Sequence, residues 1–272
     1  MKKVKNLKRL GVTALTLGML SGVVLPSDSY AADNSTTQVQ PFKSNMPQTE
    51  RILNFTDTKP SKQYLTAEEI KSIDVFALNA IYEEVQPLTF SKSEDEINQI
   101  VAEKIKNHQP VSRAKAAADE YYIPVFGKIN SAEIKLATSN PFEFTIYSAC
   151  AVTAWRSAEN YYGGNSLYQG NGDAYRHSYW NASLVKRMGG TKGRDFGDTR
   201  AKIWTDAHEA NSSGIDLEMD LHNNWIGRML AYNNYSWSLE QYSNHLKNAV
   251  ANGGMARIVN GQLVRTNGDR NN

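Results

Sequence analysis

The stretch from Asn140-Pro141 to Gly163-Gly164 constrains the fold more than any other part of the chain. Proline at a first helical position with Glu143 close behind starts a helix, and the glycine pair ends it. Between these signals Phe144, Tyr147, Ala151, Ala154, Trp155 and Ala158 wrap most of the circumference. A helix that is apolar nearly all round cannot lie on a surface, so other elements must enclose it.

Those elements are mostly helices. Thr66-Ala-Glu-Glu69 is a capping box, with Leu65 and Ile70 as its hydrophobic staple, and Ile70, Ile73, Ala77 and Ile81 continue one apolar face. Ser93 with Glu96 and Ser238 with Gln241 repeat the device, the latter opening a helix that closes at Gly253-Gly254. Beyond it, Arg257 to Arg265 reads as two strands around an Asn260-Gly261 type I′ turn. The expected fold is mainly α, a helical domain with a short C-terminal β-hairpin, and no repeat of solenoid length interrupts it.

The chain divides into four regions. Residues 1–31 have the pattern of a secretory signal peptide: Lys2, Lys3, Lys5, Lys8 and Arg9, an apolar run from Leu10 to Leu25, then Ser29-Tyr30-Ala31. Residues 32–62, rich in Asn, Ser, Thr, Gln and Pro, read as a flexible tether. An N-terminal helical segment follows over 63–125, and a domain carrying His and Asp motifs spans 126–272. No second apolar run is long enough to cross a bilayer, so the expected product is secreted and extracellular, with no membrane span after cleavage. Cleavage removes five basic residues and one acid, which turns the formal charge of +2 into −2 and gives no support for nucleic-acid binding. Cys150 is the chain's single cysteine, so no intrachain disulfide can form; its apolar surroundings make it a buried small residue.

Three of the five histidines stand beside acids or amides within one short stretch: Asp173-Ala-Tyr-Arg-His177, Asp206-Ala-His-Glu209 and Asp220-Leu-His-Asn-Asn224. On a helix Asp173 and His177 share a face, and an acid so placed fixes an imidazole tautomer and frees its other nitrogen for a metal or a proton. Asp206 and His208, two apart, diverge and cannot ligate one ion together. His208 shares its face with Ala201 and Trp204, and Glu209 is the acid placed to serve as general base. On the third segment Glu218 pairs with His222, and Asp220, Asn224 and Arg228 form a second polar ridge. The candidate metal ligands are Asp173, His177, His208 and His222; the candidate catalytic residues are Glu209, His208, Arg176 and Arg228, the arginines meeting anionic substrate. Three histidines with carboxylates suit Zn²⁺, although the spacing matches no diagnostic zinc signature.

The segments Asn171-Gly-Asp-Ala-Tyr-Arg-His-Ser-Tyr-Trp-Asn181, Asp206-Ala-His-Glu209 and Met219-Asp-Leu-His-Asn-Asn-Trp-Ile-Gly-Arg228 resemble a family of uncharacterised bacterial secreted domains. D-A-x-R-H-x-x-W-N, D-A-H-E and M-D-L-H-N-N-x-x-G-R recur there in this order, sometimes at the tail of cell-surface or toxin-like proteins. The resemblance covers about residues 140–270 and implies no particular reaction.

Two functions compete. One is a hydrolase, metal-dependent or not, acting on an extracellular partner such as a phosphodiester or a cell-envelope polymer. The other is a non-enzymatic toxin or surface-interaction domain whose His, Asn and Asp residues form a structural hydrogen-bond network. Residues 63–125 could also cover the site as a pro-segment. The pattern specifies no oligomeric state.

Overall fold

The computed structural model describes residues 42–55, 62–108, 122–123 and 127–271. The leader expected over 1–31, the tether at 32–41 and 56–61, and part of the N-terminal segment at 109–121 lie outside these residues. Nine α-helices are described: α1 (Ala67–Ser72), α2 (Val75–Val85), α3 (Glu94–Asn107), α4 (Ser131–Ser139), α5 (Pro141–Tyr162), α6 (Asn171–Gly189), α7 (Arg194–His208), α8 (Gly214–Asn233) and α9 (Leu239–Ala251). Two antiparallel hairpins join them, β1 (Tyr122–Ile123) with β2 (Gly127–Lys128) and β3 (Ala256–Val259) with β4 (Gln262–Arg265). The mainly α fold with its C-terminal hairpin is as expected. Among the described residues no helix is long and apolar enough to cross a membrane.

The capping boxes at Thr66, Ser93 and Ser238 all form, with both reciprocal bonds in place. The face read as continuous through Ile73 is broken there. Ile73 is extended, and the Asp74 side chain accepts from the Phe76 backbone N–H to start a second helix. A fourth capping box, Asn130 with Glu133, opens α4. Asn260 and Gly261 have φ of 51° and 72°, as a type I′ turn requires.

The expectation for α5 holds over its first half, where Phe144 to Val152 are buried all round; farther on the helix becomes amphipathic. The helix with most neighbours is α6, which packs on α5, α7, α8, α9 and β3. Its sequence reads as amphipathic because Asn171, Asp173, His177, Ser178 and Asn181 are polar, yet all five are buried. Each is hydrogen-bonded within the protein: His177 and Asn181 to Asn224 of α8, Asn171 to Asn267 and Asp269, Asp173 to Gln169 and Arg176, and Ser178 to backbone of α6 itself. At the centre the ring of Tyr147 lies 4.8 Å from that of Trp204 and 4.9 Å from that of Trp180.

The α6–α8 contact is closest at Gly227, where an added Cβ would stand 2.0 Å from the Ser178 carbonyl oxygen. Only glycine lets the two backbones approach so far. Across this seam α8 presents Asp220 and Asn224 to α6.

Residues 42–55, within the segment read as a tether, are docked rather than loose. The Phe42 N–H donates to Leu263 O (2.7 Å), Ser44 Oγ hydrogen-bonds His222 Nδ1 (2.8 Å), Glu50 pairs with Arg228, and the Leu53 N–H donates to Asp206 (3.1 Å). Composition describes the segment's own poverty in apolar residues; it carries no information about these partners, which lie far along the chain.

Candidate functional site

Asp173 sits in the first turn of α6, where the helix dipole favours an anion. One of its oxygens accepts from the Gln169 backbone N–H (2.7 Å), the other from Arg176 Nη2 (2.6 Å). One turn on, His177 Nδ1 lies 3.1 Å from Asn224 Oδ1, which already accepts from Asn181 Nδ2 at 2.6 Å. The Nδ1 atom therefore carries the proton and donates, leaving the Nε2 lone pair to face outward. Facing it are Asp220 Oδ1 at 3.3 Å, Asp173 Oδ1 at 3.5 Å and Arg176 Nη2 at 2.7 Å.

Asp173, His177 and Asp220 thus offer one ligand atom each, all within 4.8 Å of one another, a group that could hold a metal ion. Asp220, which the sequence shows only as part of a polar ridge, is the third donor; His208 and His222 are not in this group. Burial, then the Arg176 charge and His208, push His177 well below the usual histidine value, so it is neutral at pH 7 as a ligand must be. Burial, with the charges of Glu209 and Asp173, lifts Asp220 well above the carboxylate range. Its Oδ1 has no hydrogen-bond partner.

Glu209 follows α7 directly, in a short 3-10 turn. One oxygen accepts from Ser212 Oγ (2.8 Å); the other has no hydrogen-bond partner and stands 3.8 Å from His177 Nδ1. Burial raises its pKa, against the opposing charge of His208. His208 is held from across the fold: its Nδ1 lies 3.0 Å from Glu133 Oε1, an oxygen that also accepts from Tyr147 Oη at 2.5 Å. Burial opposes protonation of His208, but the Glu133 charge and hydrogen bond, with Glu209 behind them, lift it above the usual histidine value. Its ring is 6.5 Å from that of His177.

The other candidates lie elsewhere. His222 is buried against Phe42, with ring centroids 4.8 Å apart, and Ser44; Glu218, expected to pair with it, is exposed. Burial brings His222 down to about 4. Arg228, 2% exposed, is taken by Glu50 and by Asp198 at 3.4 Å. Asp206 turns away from His208 toward Lys202 (2.7 Å), the divergence that helical geometry requires. Asn223 pins the hairpin to α8 through both backbone groups of Ala256.

A pocket of about 370 Å³ opens onto Asp173, Arg176 and Asp220, with Ser212, Asp216 and the 74%-exposed Tyr168 toward its mouth. Arg176 reaches it and Arg228 does not. The three donors, the neighbouring Glu209 and a cation at the rim form a site that can bind an ion and an anionic group together.

Residues 134–254 match the family model described as a domain of unknown function (DUF6973). That is consistent with an uncharacterised domain family over this span. The matched span contains every candidate site residue from Asp173 to Arg228 but leaves out Glu133 and Glu50. No curated protein and no solved structure matches the chain.

Sequence reasoning missed Glu133 as the partner of His208. Asn130 three residues before Glu133 is a capping-box signal, but it marks a helix start and not a partner for a histidine 75 positions away.

Proposed function

We propose that the site is the centre of a secreted, metal-dependent hydrolase acting on phosphodiesters of an extracellular or cell-envelope substrate. The observation that carries this reading is the position of Asp220 Oδ1. It is a carboxylate oxygen without a hydrogen-bond partner, 3.3 Å from the outward lone pair of His177, at the floor of an open pocket. Two such atoms so close repel unless a proton or a cation lies between them, and the raised Asp220 pKa together with Arg176 marks a site that favours positive charge.

The residues fit a divalent cation. Arg176 Nη2 already lies against Asp173 Oδ1 and His177 Nε2, so both ligand atoms point at one cationic position. One imidazole nitrogen and two carboxylate oxygens make a harder donor set than the expected three histidines, which widens the ion from Zn²⁺ to Zn²⁺ or Mn²⁺. Such an ion supplies Lewis acidity, activating water and drawing charge from a phosphoryl oxygen. Glu209 accepts the proton of the attacking water. His208, whose protonated form Glu133 favours, donates to the leaving oxygen, and Arg176 neutralises the phosphate. Secretion rests on the leader-like start and on the resemblance to secreted and toxin-tail domains.

The competing structural reading draws on the Asn181–Asn224–His177–Thr205 network, whose bonds run between α6, α7 and α8. What favours the hydrolytic reading over it is that Asp220 and Asp173 border an open pocket beside Arg176, whereas the unpaired oxygens of Asp198 and Asp206 do not. The test is turnover of bis(p-nitrophenyl) phosphate and of phospholipid vesicles by untagged protein supplied with Zn²⁺ or Mn²⁺. Turnover that falls roughly 100-fold or more in Glu209→Gln and Asp220→Asn, with circular dichroism unchanged, is expected. A wild-type protein inert on both substrates contradicts the proposal.

A further inference from the structure

A second cavity, of about 300 Å³, lies far along α6 from the candidate site, between the C-terminal end of α6 and the helical segment of α2 and α3. Much of its lining is apolar, Tyr82, Ile97, Phe142, Ile146 and Phe196 included, with polar and charged side chains between them. At its mouth Phe90 is 71% exposed, a large apolar ring that no packing within the fold accounts for.

Of the charged side chains in this lining, Arg187 is the one that leaves a buried donor unpaired. Arg187, near the end of α6, stacks its guanidinium over the Tyr82 ring at 5.2 Å. Its Nη1 is buried without a hydrogen-bond partner, and the carboxylate whose charge acts on it, Glu83, lies outside the lining. The other charges of the lining are already matched, Lys92 by Glu96 at 3.8 Å. Glu143 binds Arg200 Nε at 2.8 Å and Trp204 Nε1 at 2.8 Å, and Lys192 pairs with Glu94 at 2.7 Å. The Cys150 thiol near Arg187 is pushed up to about 11 by burial, so it is neutral and offsets nothing. Arg187 therefore presents one unpaired buried donor to a largely apolar cavity. A buried guanidinium without an acceptor forgoes interactions that an anion would restore.

We infer that this cavity binds a single-chain amphiphilic carboxylate, of the medium-chain fatty acid class, with the acid group on Arg187 and the chain along the apolar walls. Its volume lies at the lower end for ligand pockets, ~300–1,000 Å³, which fits one chain and not a two-chain lipid. The site joins two parts of the chain, α2 and α3 on one side and α5 and α6 on the other. It thus gives the N-terminal helical segment a role in holding a ligand. This inference uses none of the residues of the proposed hydrolytic site.

The test is isothermal titration of the full secreted chain with decanoate and with decanol, the uncharged chain of equal length. Decanoate is expected to bind at least ten times more tightly than decanol. Arg187→Gln should erase that preference and Arg187→Lys restore part of it, each variant keeping the wild-type circular dichroism. Equal binding of the two probes by the wild type would show partition into grease and overturn the inference. So would decanoate that fails to bind at 1 mM, or an Arg187→Gln protein that folds and keeps the full preference. The wild-type comparison stands alone if a variant fails to fold.

Discussion

Replacing Gly227 with alanine should damage both the fold and the candidate site, because the site is assembled across the seam that this glycine allows. The new Cβ would meet Ser178 O at 2.0 Å, whereas ordinary contact begins near 3.4 Å, so α6 and α8 must part by about 1.4 Å. The partner is backbone in the middle of a buried helix and cannot swing aside. Overpacking of this kind costs ~1–3 kcal/mol. The same displacement stretches the His177–Asn224 (3.1 Å) and Asn181–Asn224 (2.6 Å) hydrogen bonds beyond useful length. Buried groups left unsatisfied cost a further ~1–3 kcal/mol each. Alanine's helix propensity returns only about 1 kcal/mol. The net loss is at least about 2 kcal/mol, or roughly 4–8 °C in melting temperature for a domain of this size. Urea unfolding followed by tryptophan fluorescence measures it, with Gly164→Ala as control, since a Cβ there meets nothing within 4 Å. A Gly227→Ala protein melting within 2 °C of wild type would refute the close approach and the assembly built on it.

Two further outcomes follow from burial. Glu50→Ala should cost about 2 kcal/mol in urea unfolding, because Arg228 is 2% exposed and loses a direct partner, while Lys62→Ala, in an exposed pair, should leave the midpoint unchanged; equal effects would mean the segment at 42–55 does not dock. Cys150, fully buried with its thiol pushed up to about 11, should resist iodoacetamide at pH 8 in the native protein and react in denaturant, and rapid native labelling would contradict its place in the core.

Local signals were legible in the sequence because their physics is local. Capping boxes join residues three apart, so Thr66, Ser93 and Ser238 announced their helices. The i,i+4 rule placed Asp173 beside His177, and the divergence of residues two apart separated Asp206 from His208. Contacts between distant parts of the chain left no such trace. Glu133 holds His208 across 75 positions, and Glu50 meets Arg228 across 178. The centrality of α6 was hidden for a related reason. Its polar residues signal a wet face until their partners on α8 are known, and Gly227, which brings those partners near, is one small residue in an ordinary helical pattern. The same gap separates His222 from the site: spacing grouped it with His177, but its ring is covered by Phe42 from the segment read as a tether.

The central claim is that Asp173, His177 and Asp220 hold a divalent ion. Elemental analysis of untagged protein, dialysed against Zn²⁺ or Mn²⁺ and then against metal-free buffer, tests it directly. The account predicts about one ion per chain in the wild type, retained in His222→Gln and lost in Asp220→Asn. A wild-type protein that retains neither ion, or an Asp220→Asn protein that retains as much as wild type, would contradict it.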